Sequence, residues 1–81
     1  MKDLFEIGET LKFDEVVERL NEKDGTKFDA GEFSLGNIFQ EKTNQYSFDN
    51  GITNVIFIVG DEDLVSALYD EDVRIKDFYE L

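Results

Sequence analysis

The clearest helix signal in the chain is a set of apolar residues that recur at intervals of three and four, the period of one helix face. These residues are Phe13, Val16, Val17 and Leu20. They predict a helix over residues 11–22, and Gly25 is expected to end it because glycine readily adopts the left-handed conformation found after helices. A shorter helix of about two turns is predicted in residues 62–69, where Leu64 and Leu68 lie one turn apart.

Short alternating or apolar runs predict the strands of a sheet. They fall at residues 2–7, at 27–28, at "QYSF", at residues 53–59 and in "VRIKDFYEL". Asn50-Gly51 joins the third run to the fourth and suits a two-residue type I′ turn, so these runs predict a central β-hairpin. Residues 53–59 are apolar on both faces toward their end, which is typical of a central, buried strand.

Together these elements predict one small α+β domain over residues 1–81. Its two short helices are expected to pack on one face of a mostly antiparallel sheet that contains the hairpin. If the sheet is open, its central strand could pair with a second copy across an edge, which makes a homodimer possible.

The chain is strongly acidic, with 20 Asp and Glu against eight Lys and Arg in 81 residues and a formal net charge of -12. Such a charge destabilises a compact domain through self-repulsion, so it indicates a role outside folding. Eight Phe and three Tyr nevertheless predict a folded domain with an aromatic core.

The residue types that are missing exclude several kinds of chemistry. With no His and no Cys, the chain cannot form the usual base and nucleophile pairs or a zinc site of nitrogen and sulfur ligands. Its glycines never fall at the spacing of a phosphate-binding loop. We therefore expect no enzymatic activity and no cofactor.

The N-terminus has no signal-peptide pattern, and the longest apolar run, "VIFIVG", is too short to cross a membrane. We therefore expect no membrane partner. The expected location is the cytoplasm, that of the host cell if a phage encodes the protein.

Two identical acidic triplets, residues 61–63 and 70–72, bracket the second predicted helix. The first triplet suits a helix N-terminus, where acids accept hydrogen bonds from free N–H groups and interact favourably with the positive end of the helix dipole. The second would lie at the negative end, where acids are unfavourable, or in a solvated turn that Arg74 or Lys76 partly neutralises. The first triplet also has a D-x-D spacing that could hold Mg²⁺ or Ca²⁺.

The acids and nearby tyrosines predict a protein-binding surface. The expected contact residues are Asp14, Glu15, Glu18, Glu22, Asp61, Glu62, Asp63, Tyr69, Asp70, Glu71, Asp72, Asp77, Tyr79 and Glu80. Their carboxylates would replace nucleic-acid phosphates, and the tyrosines, with Tyr46 as a third candidate, would supply apolar anchors. Because this charge repels nucleic acid itself, the expected partner is a basic nucleic-acid-binding protein, a nuclease above all.

In size, acidity, lack of His and Cys and α+β pattern, the chain resembles small inhibitors carried by phages and mobile elements. These include anti-CRISPR proteins, uracil-DNA glycosylase inhibitors and other DNA mimics. The segment "LKFDEVVERLNEKDGTKF" is also similar to the helix-then-strand starts of small phage proteins. The resemblance implies an inhibitor of a defence nuclease, in particular an RNA-guided one. It assigns no role to any single residue, because these inhibitors share a surface property and no motif.

Three other functions remain open. An immunity or antitoxin protein would also be small and acidic and would also cover a basic nuclease site. A metal-binding module would use Asp61, Asp63 and residues 70–72 to hold Ca²⁺ or Mg²⁺. The charge could also serve solubility alone.

Overall fold

The helix and the strands of the protein form an α+β domain with one five-stranded antiparallel sheet. The computed structural model describes residues 4–29, 36–60, 66, 68, 69 and 71–81. The elements in chain order are β1 (Thr10–Lys12), α1 (Phe13–Asp24), β2 (Ile38–Lys42), β3 (Gln45–Asp49), β4 (Thr53–Ile58) and β5 (Asp72–Glu80). The expected fold class and the antiparallel character of the sheet are confirmed.

The sheet has the strand order β1-β5-β4-β3-β2, and every neighbouring pair is antiparallel. Strands β2 to β5 therefore follow one another as a meander, while β1 lies beside β5 at the far edge. The chain leaves β1 at one edge and enters β2 at the other. The connection that contains α1 consequently spans the whole width of the sheet.

One face of the sheet packs against α1 because apolar side chains alternate toward it along each inner strand. The buried core comprises Phe5, Leu11, Phe13, Val16, Val17, Leu20, Tyr46, Phe48, Val55, Phe57, Val59, Leu68, Val73 and Ile75. At its centre the ring of Phe13 lies 5.6 Å, between centroids, from both Phe48 and Phe57. The aromatic core expected from composition is present.

Gly25 ends helix α1, as the sequence predicts. The helix itself begins and ends two residues later than the predicted residues 11–22. Gly25 has a φ of 69° and its N–H donates to the carbonyl of Asn21 at 2.8 Å. This left-handed residue stops the helix and satisfies one of its last carbonyls.

The strand predicted at residues 27–28 is wrong, and a side chain explains why. The amide of Asn21 accepts from the N–H of Phe28 at 3.0 Å and donates to its carbonyl at 2.8 Å. The amide thus provides both hydrogen bonds that a neighbouring strand would otherwise make. Strand β2, which the sequence pattern leaves in an irregular segment, instead pairs with β3 across a turn at residues 43–44, where Asn44 has a φ of 62°.

The strand predicted at residues 2–7 is also absent from its described part, residues 4–7. Phe5 is held by packing, with its ring 5.4 Å from that of Phe78 in an edge-on contact. The first strand forms only at Thr10–Lys12, where Leu11 reaches the core and pairs in register with Val73.

Strand β4 is central, as expected, with β3 and β5 on its two edges. Both sides of β4 are thus paired, the described sheet is open only at β1 and β2, and the homodimer stays a prediction. Residues 50–52 join β3 to β4 without the predicted type I′ turn, because Asn44 is the only described non-glycine residue with positive φ. Instead, Asn50 Oδ1 accepts from the N–H groups of Ile52 and Thr53 at 2.9 and 2.8 Å.

The second predicted helix falls mostly outside the described residues. Ser66, Leu68 and Tyr69 are helical, and Leu68 is buried in the core. The first acidic triplet and Asp70 are also outside the described part of the chain.

Replacing Gly25 with alanine is expected to lower the free energy of unfolding by about 1 kcal/mol, because a Cβ is unfavourable at positive φ. No atom lies within 4 Å of the position that this Cβ would take, so the loss reflects the backbone alone. Gly25→Asn is the matched control and should lose less, since asparagine tolerates the left-handed region. Urea unfolding followed by circular dichroism measures both variants. An alanine variant as stable as the wild type would contradict this role of Gly25.

Candidate functional site

The outer side of α1 carries a row of three exposed carboxylates, Asp14, Glu18 and Glu22, here termed the acidic row. They recur every four residues because the apolar residues occupy the opposite face, and they lie about 6 Å apart along the helix axis. Within the described part of the chain, no Lys or Arg forms an ion pair with any of the three. The row therefore presents its charge to solvent.

This arrangement is unfavourable for the helix itself. Like charges four residues apart destabilise a helix by a few tenths of a kcal/mol per pair. Asp14 gains from the positive end of the helix dipole in the first turn, but Glu22 lies near the negative end and Glu18 near the middle. Local stability thus explains Asp14 and leaves Glu18 and Glu22 without a structural reason.

An open groove runs beside the acidic row, between α1 and the segment that follows it. Its lining residues are Asp14, Val17, Glu18, Asn21, Phe28 and Asp29. Asp29 adds a fourth carboxylate next to the row, and Phe28 is half-buried beside it, edge-on to Phe48 at 5.7 Å. A partner that contacts the row would therefore also meet some apolar surface. Sequence reasoning missed Asp29, because its place depends on how Asn21 holds the chain after the helix.

Glu15 is an exception among the predicted contact residues of α1, because it has a structural partner. Its carboxylate lies 3.4 Å from Arg19 Nε. The same guanidinium donates to Glu9 at 3.1 Å and to the carbonyl of Leu4 at 3.2 Å, and it lies 5.5 Å from the ring of Phe5. Arg19 therefore fastens the N-terminal segment to α1, and Glu15 helps to hold Arg19.

The other predicted acids lie elsewhere on the molecule. Glu71 directly precedes β5 and Asp72 begins it, and Asp72 lies 3.6 Å from Lys12 of β1 and shares an open pocket with Arg74. Asp77 pairs in register with Ile56, and its Oδ1 accepts from the N–H of Phe78. Glu80 lies 3.4 Å from Lys23, near the end of α1. The described acids predicted as contact residues thus lie at several separate places and not on one surface.

The tyrosines also differ from one another. Tyr69 and Tyr79 are 54% and 48% exposed, as an anchor requires, whereas Tyr46 is 7% exposed. Tyr46 stacks on Phe57 with ring centroids 6.2 Å apart, so its candidacy as an anchor is wrong. Asp61, Glu62, Asp63 and Asp70 lie outside the described residues.

A buried carboxylate that sequence reasoning missed, Asp24, connects α1 to the sheet. Its side chain is 5% exposed. One oxygen accepts from Lys23 Nζ, and the other accepts from Asn50 Nδ2 and Thr53 Oγ1, each at 2.8 Å. Lys23 Nζ also donates to Thr53 Oγ1 at 3.0 Å. Nothing in the sequence period marks Asp24, because its partners come from a loop and a strand distant in the chain.

The protonation of this cluster follows from its contacts. Burial alone would raise the pKa of the Asp24 carboxyl, but hydrogen bonds from Asn50, Lys23 and Thr53 outweigh it and bring the pKa below its ordinary value. The hydrogen bond to Asp24 raises the pKa of Lys23 against a smaller effect of burial, and Glu80 adds to the rise. Asp24 is therefore a charged structural residue.

Among the described residues, no group of three or more His, Cys, Asp or Glu side chains is placed to hold a metal ion. In the same part of the chain, no helix has the length and apolarity needed to cross a membrane.

Comparisons with protein-family models, with curated proteins and with solved structures found no match.

Replacing Glu18 with lysine should raise the free energy of unfolding by several tenths of a kcal/mol, because two repulsive pairs in the acidic row become attractive. Glu15→Lys is the matched control, with the same charge change three residues away. It should be destabilising, since it breaks the contact with Arg19. Urea unfolding at low salt compares the two. A destabilising Glu18→Lys would contradict the account of the row as unfavourable for the helix.

Replacing Asp24 with asparagine should lower the free energy of unfolding at pH 7 by about 1 to 3 kcal/mol, because buried donors lose a charged acceptor. The folded-state pKa of Asp24 is the lower one, so its contribution is fully present above the unfolded value of about 3.9. It is lost as the pH falls through the folded-state value, and the difference between wild type and D24N should shrink there. Urea unfolding between neutral and acidic pH measures this, with E22Q as control. A difference that stays constant with pH would contradict the assignment.

Proposed function

We propose that the protein is a non-enzymatic inhibitor that mimics nucleic acid and occupies the basic groove of a nucleic-acid-binding protein, specifically a defence nuclease. The observation that carries this proposal is the acidic row, which is exposed, unpaired among the described residues and unfavourable for the helix that bears it. A net charge of -12 serves the same purpose, since it speeds encounter with a basic surface and repels nucleic acid.

The spacing of the acidic row supports this role. One carboxylate occurs about every 6 Å along α1. One strand of duplex DNA carries a phosphate about every 3.4 Å along its axis, so the row approximates every second phosphate. Lys and Arg side chains that line a DNA groove could follow such a row with small adjustments of their own.

The attachment of α1 to the rest of the domain also supports this role. Its last turn is attached to the sheet through Asp24, and its middle turn is attached to the N-terminal segment through Arg19. A partner would therefore not have to order the row on binding, which reduces the entropic cost of association.

We further propose that residues 62–69 form a second helix on the same side of the sheet as α1. Leu68 supports this, because it is buried in the same core cluster as Val16, Val17 and Leu20. The first acidic triplet would then begin a second negative site on the helical side of the molecule, and the exposed Tyr69 would serve as an apolar anchor.

A toxin-immunity protein would use the same surface against one nuclease. Gene neighbourhood separates the two functions, because an immunity gene lies directly beside its toxin gene.

The binding test displaces a fluorescent DNA duplex from purified basic enzymes: a guide-loaded RNA-guided nuclease, a uracil-DNA glycosylase and a non-specific DNase. We expect the protein to displace the duplex from at least one of them. Because the contact is largely ionic, its affinity should fall at least about tenfold between about 50 and about 200 mM salt. No displacement from any of the three at low salt, or an affinity that does not change with salt, would contradict the proposal.

Two double variants of equal charge test the acidic row itself. E18Q/E22Q should weaken binding about tenfold or more, because it removes two groups that pair with the basic groove. E6Q/E41Q is the matched control, because it neutralises two exposed glutamates outside α1 and should change binding much less. Equal losses from both variants would show that net charge alone, and not the row, is recognised.

A further inference from the structure

The side of the sheet that faces away from α1, here termed the open face, has a different character from the rest of the surface. Its apolar side chains belong to Phe39, Ile56, Ile58 and Tyr79. Each of them is adjacent in its strand to a residue that packs in or against the core, so it lies on the opposite side of the sheet. Phe39, Ile58 and Tyr79 are 56%, 38% and 48% exposed. This is apolar surface that α1 does not cover.

The charges of the open face are balanced. The register assigns to it three bases, Lys12, Lys42 and Arg74, and three acids, Asp49, Asp72 and Asp77. A fourth base, Lys76, donates at 2.8 Å to Gln45, which pairs with Ile58 on this face. Counting Glu41, at the bulge of β2, would bring it to neutrality. Four of the chain's eight bases thus lie on a face that carries, with Glu41, four of the 14 described acids. The described part of the open face is therefore close to neutral on a chain of charge -12.

We propose that the open face is a self-association surface, covered by the same face of a second copy in a weak two-fold dimer. Two chains of charge -12 repel each other, and the repulsion is least where the approaching surfaces carry no net charge. In a two-fold contact, each base of one copy can approach an acid of the other, while the apolar side chains are buried. A basic groove, in contrast, gains little from a neutral face and is drawn to the acidic row.

The size of the open face sets the strength of this dimer. Five strands about 4.8 Å apart and about five residues long, at about 3.3 Å per residue, cover roughly 300 to 400 Å². Stable complexes bury about 800 Å² per partner. The dimer should therefore be weak and depend on concentration. Both α1 helices would point outward, so the acidic rows would stay accessible.

Salt distinguishes this contact from binding through the acidic row. Salt screens the repulsion between two acidic chains, so self-association should strengthen as ionic strength rises. Binding of a basic groove should weaken under the same change. The two surfaces are therefore expected to respond to salt in opposite directions.

Sedimentation velocity of the full chain tests the proposal, at protein concentrations from about 10 µM to about 1 mM, the range in which a weak dimer forms. The dimer fraction should rise with protein concentration. It should also rise at least about twofold from about 50 to about 300 mM salt, because the Debye length falls from more than about 10 Å to less than about 8 Å over that range. A protein that stays monomeric throughout, or a dimer that weakens with salt, overturns the proposal.

Ile58→Asp should weaken self-association about tenfold or more, because it adds a charge to the apolar surface of the central strand, β4, in both copies. Ile52→Asp is the matched control: Ile52 is 44% exposed but lies in the loop between β3 and β4, and its replacement should have little effect. Phe39→Asp, on the edge strand, provides a second variant should Ile58→Asp fail to fold by circular dichroism. Equal effects of the open-face variants and the control, or loss of nuclease binding with unchanged self-association, would overturn the proposal.

Discussion

The burial of one carboxylate attaches the end of the helix to the sheet. Asp24 lies at the negative end of the α1 dipole, and its side chain is almost fully buried. Both its position and its burial therefore disfavour its negative charge. Three donors at 2.8 Å offset these costs, and two of them come from Asn50 and Thr53 at the junction of β3 and β4. The charge is thus tolerated only while α1 lies in one orientation. In that orientation the apolar residues of α1 face the sheet and the acidic row faces solvent.

The same logic recurs where the chain passes between elements. The Asn21 side chain hydrogen-bonds to both backbone groups of Phe28, and Arg19 donates to the carbonyl of Leu4. The Asn50 side chain accepts from two backbone N–H groups that follow it, at the junction of β3 and β4. Among the described residues, no buried side-chain nitrogen or oxygen lacks a hydrogen-bond partner. A small domain with much internal repulsion thus depends on specific polar contacts as well as on its aromatic core.

The elements that the sequence predicts correctly are those whose pattern is local. The apolar period places α1 and its exposed acids, and alternation places β5 and the buried β4. The false strand at residues 27–28 and the missed β2 depend on Asn21 and on a turn at Asn44, which periodicity does not reveal. The site follows the same division. Glu18 and Glu22 are predicted because they share the helix with the core residues, whereas Asp29 and Asp24 depend on tertiary contacts. Tyr46 alternates with Phe48 and could have been recognised as a core residue.

The separation of charge between the two sides of the molecule has a consequence of its own. Carboxylates concentrate on the outer side of α1, and half of the bases lie on the opposite side of the sheet. Among the described residues, this separation contributes an electric dipole component perpendicular to the sheet. In the field of a strongly charged surface, this moment would rotate the molecule before contact, so that collisions which begin in the wrong orientation can still become productive.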